Sequence, residues 1–75
     1  MNKSRRKELK KWLENIGTIK SELENIVDDE QNYYDQIPEN LQSGQRACDS
    51  EEAIDKMNEA VDILDEAINC IEEII

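Results

Sequence analysis

Apolar residues recur along this chain at helical spacing, and they do so in two long blocks. In the C-terminal block Ile54, Met57, Val61, Leu64, Ile68, Ile71 and Ile75 are separated by alternating steps of 3 and 4, a strict heptad seam. A second seam with the same steps runs beside it through Ala53, Lys56, Ala60, Ile63, Ala67, Cys70 and Ile74, interrupted only by Lys56. A lysine stem can lie along such a surface with its ammonium in water. The block reads as one helix with two adjacent apolar stripes, the second rich in alanine, which lets helices approach closely. Asp49 with Glu52 three residues on has the form of a capping box, and Glu51 adds acid to the first turn. The helix is therefore expected over residues 50–75.

The N-terminal block follows the same logic. Leu9, Trp12, Ile16, Ile19, Leu23, Ile26, Tyr33 and Ile37 form a seam in which Glu30 is the one charged member, and Leu13, Val27 and Tyr34 widen it to a second stripe. Gly17 inside the block costs about 1 kcal/mol relative to Ala, unless it admits the close crossing of another helix. The spacing predicts a helix over residues 4–36, about 50 Å long if unbroken. It should stop at Ile37, because Pro38 disfavours helical conformation in the residue before it. An elbow of residues 37–49 follows. Pro38 suits the first position of a helical turn and Gly44 the position after its end, so residues 38–43 are expected to form one short turn with Leu41 pointing back into the hairpin.

Two long helices joined by a short connection lie antiparallel. The expected fold is thus all-α, a single helical-hairpin domain spanning residues 1–75. A lone hairpin buries one face of each helix, whereas both blocks are apolar over more than one seam. Monomeric proteins seldom expose a strip of that size. Self-association into a four-helix bundle or higher homo-oligomer is expected, with Ala53, Ala60, Ile63, Ala67, Cys70 and Ile74 at the interface. The alternative is that a different protein covers the second seam.

Composition alone would fit disorder, since 37% of the residues are charged and only 4% aromatic; the periodicity argues for folded helix instead. The net charge of −10 conceals a division. Residues 1–11 hold six basic residues against Glu8, and residues 12–75 hold three basic against eighteen acidic ones. The acidic body repels nucleic acid and anionic lipid, so partners are expected to be further copies of the chain, basic or apolar proteins, or small molecules. The basic segment KSRRKELKK at 3–11 offers contact with nucleic-acid phosphates. Its charges oppose the helix dipole, so the first turn is expected to fray. No segment has the length or apolarity of a membrane span, and no apolar run follows the basic start as a secretory signal requires. Cys48 and Cys70 stand roughly 30 Å apart along a helix, beyond disulfide reach. Free thiols fit a reducing compartment, and a cytoplasmic location is expected.

The chain has no histidine, which removes Ser–His–Asp, Cys–His and carboxylate–histidine metal arrangements. Two distant cysteines make no zinc site, and DDEQNYYDQIPE at 28–39 lacks the central glycine of a calcium loop. No catalytic residue, metal or cofactor is expected, and the protein reads as non-enzymatic. Trp12 and Tyr33 fall on the seam and are expected in the core, Tyr33 with its hydroxyl at the rim. Arg46 is the only basic residue between Lys20 and Lys56. It is expected either to pair with Asp35, Glu39 or Asp49, or to grip a carboxylate or phosphate in a pocket with Tyr34, Gln42 and Gln45.

The elbow and the acidic helix after it, EQNYYDQIPENLQSGQR followed by SEEAIDKMNEAVDILDEAINCIEEI, resemble a group of small acidic helical-hairpin proteins of Gram-positive bacteria and their phages. The shared elements are Tyr34, Asp35, Ile37, Pro38 to Gln42, Ser43 and Arg46, and the likeness covers residues 23–75. The paired tyrosines and Cys48 depart from the group's pattern. The resemblance implies a phage setting, and with it a counter-defence role in the host cytoplasm: inhibiting a host defence protein or sequestering a signalling nucleotide as a homo-oligomer. The alternatives are a structural oligomerisation module of phage or host replication machinery, and nucleic-acid binding through the basic N-terminal segment.

Overall fold

In the computed structural model, which describes residues 1–75, the heptad pattern becomes two α-helices lying side by side in a rod of 59 × 15 × 13 Å. Helix α1 runs Lys3–Asp35 and helix α2 runs Gln45–Glu72, with a single 3-10 turn, Glu39–Leu41, between them. There are no strands, and no helix is long and apolar enough to cross a membrane.

Helix α1 begins at Lys3. Asn2 caps it, its side-chain oxygen accepting from the Arg5 amide at 2.8 Å, and this satisfies a backbone donor that the cationic first turn cannot. The helix ends where expected, one residue short of Gln36. The Gln36 and Ile37 amides close the last turn on the carbonyls of Tyr33 and Tyr34, and Pro38 takes extended geometry with φ −54° and ψ 140°. The Leu41 amide then bonds to the Pro38 carbonyl at 2.8 Å, which makes the predicted short turn.

Helix α2 begins five residues before its predicted start. Gly44 does two things: its amide closes the short turn on the Leu41 carbonyl at 3.0 Å, as expected, and it is also the N-cap that opens the second helix. The Asp49–Glu52 pair is an ordinary piece of helix, and the Gln45 side chain donates to the Asp49 carboxylate at 2.7 Å. The reason is packing: Ala47 and Ser50 extend the inner seam by a further heptad, and both are buried. Local capping chemistry loses to that burial. The elbow accordingly shrinks to residues 36–44.

The inner seam of α2 is the one expected, from Ile54 to Ile75, now with Ala47 and Ser50 before it. On α1 the inner seam is Leu9, Leu13, Ile16, Lys20, Leu23, Val27, Glu30, Tyr34 and Ile37, all half-buried. This corrects the expected frame. The stripe of Trp12, Ile19, Ile26 and Tyr33 lies outside, and Leu13, Lys20, Val27 and Tyr34 take its place. Lys20 can occupy the seam because its Nζ reaches Asp65 of α2 at 2.6 Å and Glu24 at 3.8 Å. That hydrogen bond, aided by the charges of Asp65 and Glu24 and opposed by burial, raises the Lys20 pKa above its ordinary value. The Lys20–Asp65 pair also sets the register, which places Tyr34 level with Ser50 and Glu51, and Leu9 level with Ile75. Only Ala47, Ser50 and Ile54 are fully buried, all at the elbow end.

Two predictions follow from the seam. A Cβ built on Gly17 meets nothing within 4 Å, so no helix crosses there. Gly17→Ala should raise stability by about 1 kcal/mol in urea unfolding, with helicity unchanged. The Lys20 contribution is fully present below the ordinary lysine value of 10.5 and is lost as pH rises through the raised folded-state value. The stability gap between the wild type and Lys20→Met should therefore move against the wild type as pH rises above 10.5.

Candidate functional site

The frame of the hairpin sorts every flanking residue onto one of two edges. Reversing one helix against the other brings like flanks together, so the residues just before each seam position of one step gather on one side. The structure marks the polar edge directly. Gln31 and Tyr34 of α1 line a hollow of about 230 Å³ with Glu51, Ile54 and Asp55 of α2. Asp65 reaches Lys20 on this side, and the same heptad steps add Lys10, Gly17, Glu24, Asn58 and Glu72. The edge is almost wholly polar.

The opposite edge is apolar. On α1 it carries Trp12, Ile19, Ile26 and Tyr33, seven residues apart and between 41% and 57% exposed. On α2 it carries Arg46, Ala53, Ala60, Ala67 and Ile74 at the same spacing, with Lys56, Ile63 and Cys70 just outside. Ala60 and Ala67 are half-buried; Ala53, Ile63, Cys70 and Ile74 are exposed. The six residues expected at an interface therefore share one surface, and the exposed stripe of α1 lies beside them. Met1 joins Trp12 in a hollow at the open end, and Leu41 joins Tyr33 at the elbow. Every large hydrophobic side chain that the hairpin leaves exposed belongs to this edge or its two ends. Trp12 was expected in the core; its ring lies instead at the surface with the Lys11 ammonium 5.6 Å from the ring centre.

The elbow end of the apolar edge opens into a pocket of about 480 Å³ walled by Tyr33, Ile37, Pro38 and Leu41, with Gln45 and Arg46 at its polar side. Of the four residues expected to form a site, the structure brings together Gln45 and Arg46. Tyr34 faces the polar edge and is not part of this pocket; consecutive helical residues point about 100° apart, and the seam frame assigns the outward place to Tyr33. Gln42 is half-buried and structural, its side-chain amide donating to the Ile37 carbonyl at 3.3 Å. Leu41 does not turn into the hairpin; it is 55% exposed and forms a pocket wall. Tyr33 and Leu41 line the pocket and were not among the four residues expected there. The seven-residue spacing from Trp12 to Tyr33 carried the signal.

Arg46 forms none of the ion pairs in the structure. Asp35 accepts from Gln31 at 3.0 Å and Asp49 from Gln45, so two of its three expected partners are engaged along their own helices. The pocket therefore offers apolar walls, one aromatic ring and an unpaired guanidinium, a set suited to a flat apolar or anionic group. No three metal-ligating side chains converge anywhere in the chain, and Cys48 and Cys70 are free and exposed. No family model, curated protein or solved structure matches the chain.

The division between supporting and presenting residues can be measured. Gln42→Ala should lower unfolding stability by about 1 kcal/mol through the Ile37 carbonyl it leaves unpaired, whereas Arg46→Ala should change the monomer's stability by under about 0.5 kcal/mol. Urea titration at low protein concentration reads both.

Proposed function

We propose that the protein is a non-enzymatic interaction protein that works as a self-associated helical bundle, two hairpins joined apolar edge to apolar edge. The observation that carries this reading is the segregation of all exposed large hydrophobic side chains to one edge, its two ends included. An edge of this kind has no use in water, and a hairpin that fully buries only three residues has little core of its own. Small domains without disulfides commonly gain their missing core by oligomerisation, and both cysteines of this chain are free.

In the joined form the polar edges face outward and present the acidic surface, with Glu24, Glu51, Asp65 and Glu72 along them. That surface suits a basic partner. The likeness to small hairpin proteins of Gram-positive bacteria and phages supports a role in which the bundle binds and inhibits a host factor, a defence protein in the phage setting. The work is done by surface complementarity; nothing in the reading calls for bond chemistry.

Light scattering or sedimentation tests the core of the proposal. The chain of 8.7 kDa should run as a dimer or higher multiple at micromolar concentration. Ile26→Asp, which puts a charge in the middle of the apolar edge, should weaken association at least 100-fold, about 3 kcal/mol, and lower helicity as the hairpins separate. Glu24→Gln on the polar edge should leave the mass unchanged. A wild-type monomer at these concentrations would refute the bundle.

A further inference from the structure

We infer that the covering copy lies antiparallel to the first, and that Trp12 of each copy fills the elbow pocket of the other. This rests on the bundle reading and adds its geometry. Three observations carry it.

The first is symmetry. The α1 stripe runs from Trp12 to Tyr33, and its midpoint falls between Ile19 and Ile26. A two-fold axis there, perpendicular to the rod, lays α1 on α1 of the second copy. It brings Trp12 level with Tyr33 and Ile19 level with Ile26. The same axis passes the level of Ile63, the exposed isoleucine outside the alanine stripe of α2, and sets it against its own copy.

The second is charge. Between residues 28 and 52, the elbow end, eight acidic residues face the single cation Arg46. The other end, residues 1–11 with 65–75, holds six basic residues against five acidic ones, the basic residues all on α1. Parallel stacking, which lays α1 on α2, sets the two acidic elbow ends together. Antiparallel stacking lays each basic segment on an acidic elbow.

The third is the pocket and its reach. Trp12 and Tyr33 of one chain are 21 residues apart on a continuous helix, about 32 Å, so a chain's own indole never meets its own elbow. The second copy's indole arrives there by symmetry. Tyr33, Ile37 and Leu41 supply apolar walls, and the unpaired Arg46 supplies a cation for the face of the ring. The edge measures roughly 32 by 20 Å, about 600 Å² per copy, and the basic segments and elbows extend it toward the roughly 800 Å² per partner of a stable interface.

The test separates the arrangement, the occupant and the bundle itself. Ile63→Cys is made in a Cys48→Ser, Cys70→Ser background, and the full chain is mildly oxidised. The antiparallel pair should lock as a disulfide-linked dimer, because the two positions meet on the axis. Trp12 is the only tryptophan, so its emission reports the pocket. In the locked dimer Leu41→Lys should move that emission to longer wavelength, although Leu41 and Trp12 of one chain lie at opposite ends of the rod. A dimer by mass that does not lock overturns the antiparallel arrangement and leaves the bundle standing. A locked dimer whose emission ignores Leu41→Lys overturns Trp12 as the occupant. ADP-ribose serves as the small-molecule probe: a rise in melting temperature that Arg46→Ala abolishes and Trp12→Phe does not would assign the pocket to an anionic aromatic ligand and overturn the proposal. A monomeric mass throughout would remove the bundle reading with it.

Discussion

Two helices in contact touch along one line, and everything else about this protein follows from how little that line can hide. A seam of small and medium side chains runs the length of the rod, yet most of its members remain half-exposed, and full burial is reached only by Ala47, Ser50 and Ile54. Each buried methylene contributes about 0.8 kcal/mol, so a half-covered seam gives each residue only part of its worth. Ser50 shows how narrow the margin is. Its hydroxyl is enclosed at the tightest point of the seam without a hydrogen-bond partner, a defect that costs about 1–3 kcal/mol. A molecule so arranged keeps its remaining apolar surface at its edges, where a second layer can reach it.

The polar members of the seam explain which edge is which. Lys20 and Glu30 sit on the inner line of α1, where isoleucine or leucine would pack better. Lys20 is tolerated through Asp65, whose carboxylate it meets at 2.6 Å with its own side chain 28% exposed. Such a pair adds little net stability when partly solvated. Its value is in register and frame, since a polar pair on a seam penalises alternatives that leave the charge unmatched. Turning α1 to bury Trp12, Ile19, Ile26 and Tyr33 would carry Lys20 away from Asp65. It would also strip the apolar edge of its longest stripe. The more apolar stripe is held outside the hairpin.

That inversion is why the sequence was legible in some places and not in others. The inner stripe of α2 could be read directly, because Ile54 to Ile75 is both the more apolar stripe and the one that packs within the chain. On α1 these two properties part company: apolarity marks what an assembly would bury, while the chain alone buries its neighbour stripe. The adjacent tyrosines make the consequence concrete, since one turn of the frame exchanges Tyr33 for Tyr34 at the elbow pocket. The stop at Pro38 was readable because it rests on local sterics. The start of α2 was not, because Asp49 and Glu52 carry a capping signal that Ala47 and Ser50 override through contacts with the other helix. Gly44 is both the end of the short turn and the beginning of α2, its amide bonded back to Leu41 and its carbonyl forward to Cys48, and only the first of these roles was readable from the sequence.

The distribution of charge then bears on what the edges can do. The acidic residues that make the chain so strongly anionic lie mainly on the polar edge and the outer faces, where joining two apolar edges leaves them in water. The charges on the α2 side of the apolar edge are Arg46, Lys56 and, at the elbow end, Asp49, which its own helix engages through Gln45; the two cations are long side chains whose stems can be covered while their heads reach solvent or a ring face. The stripes nearest the seam on this edge, Trp12 to Tyr33 on α1 and Arg46 to Ile74 on α2, carry no carboxylate. Arg46 is therefore best understood together with Tyr33 and Leu41, as the polar end of an otherwise apolar surface. The elbow is at once a corner of the hairpin and the terminus of its docking edge, and both roles depend on the same turn of α1 that puts Tyr34 inside and Tyr33 out.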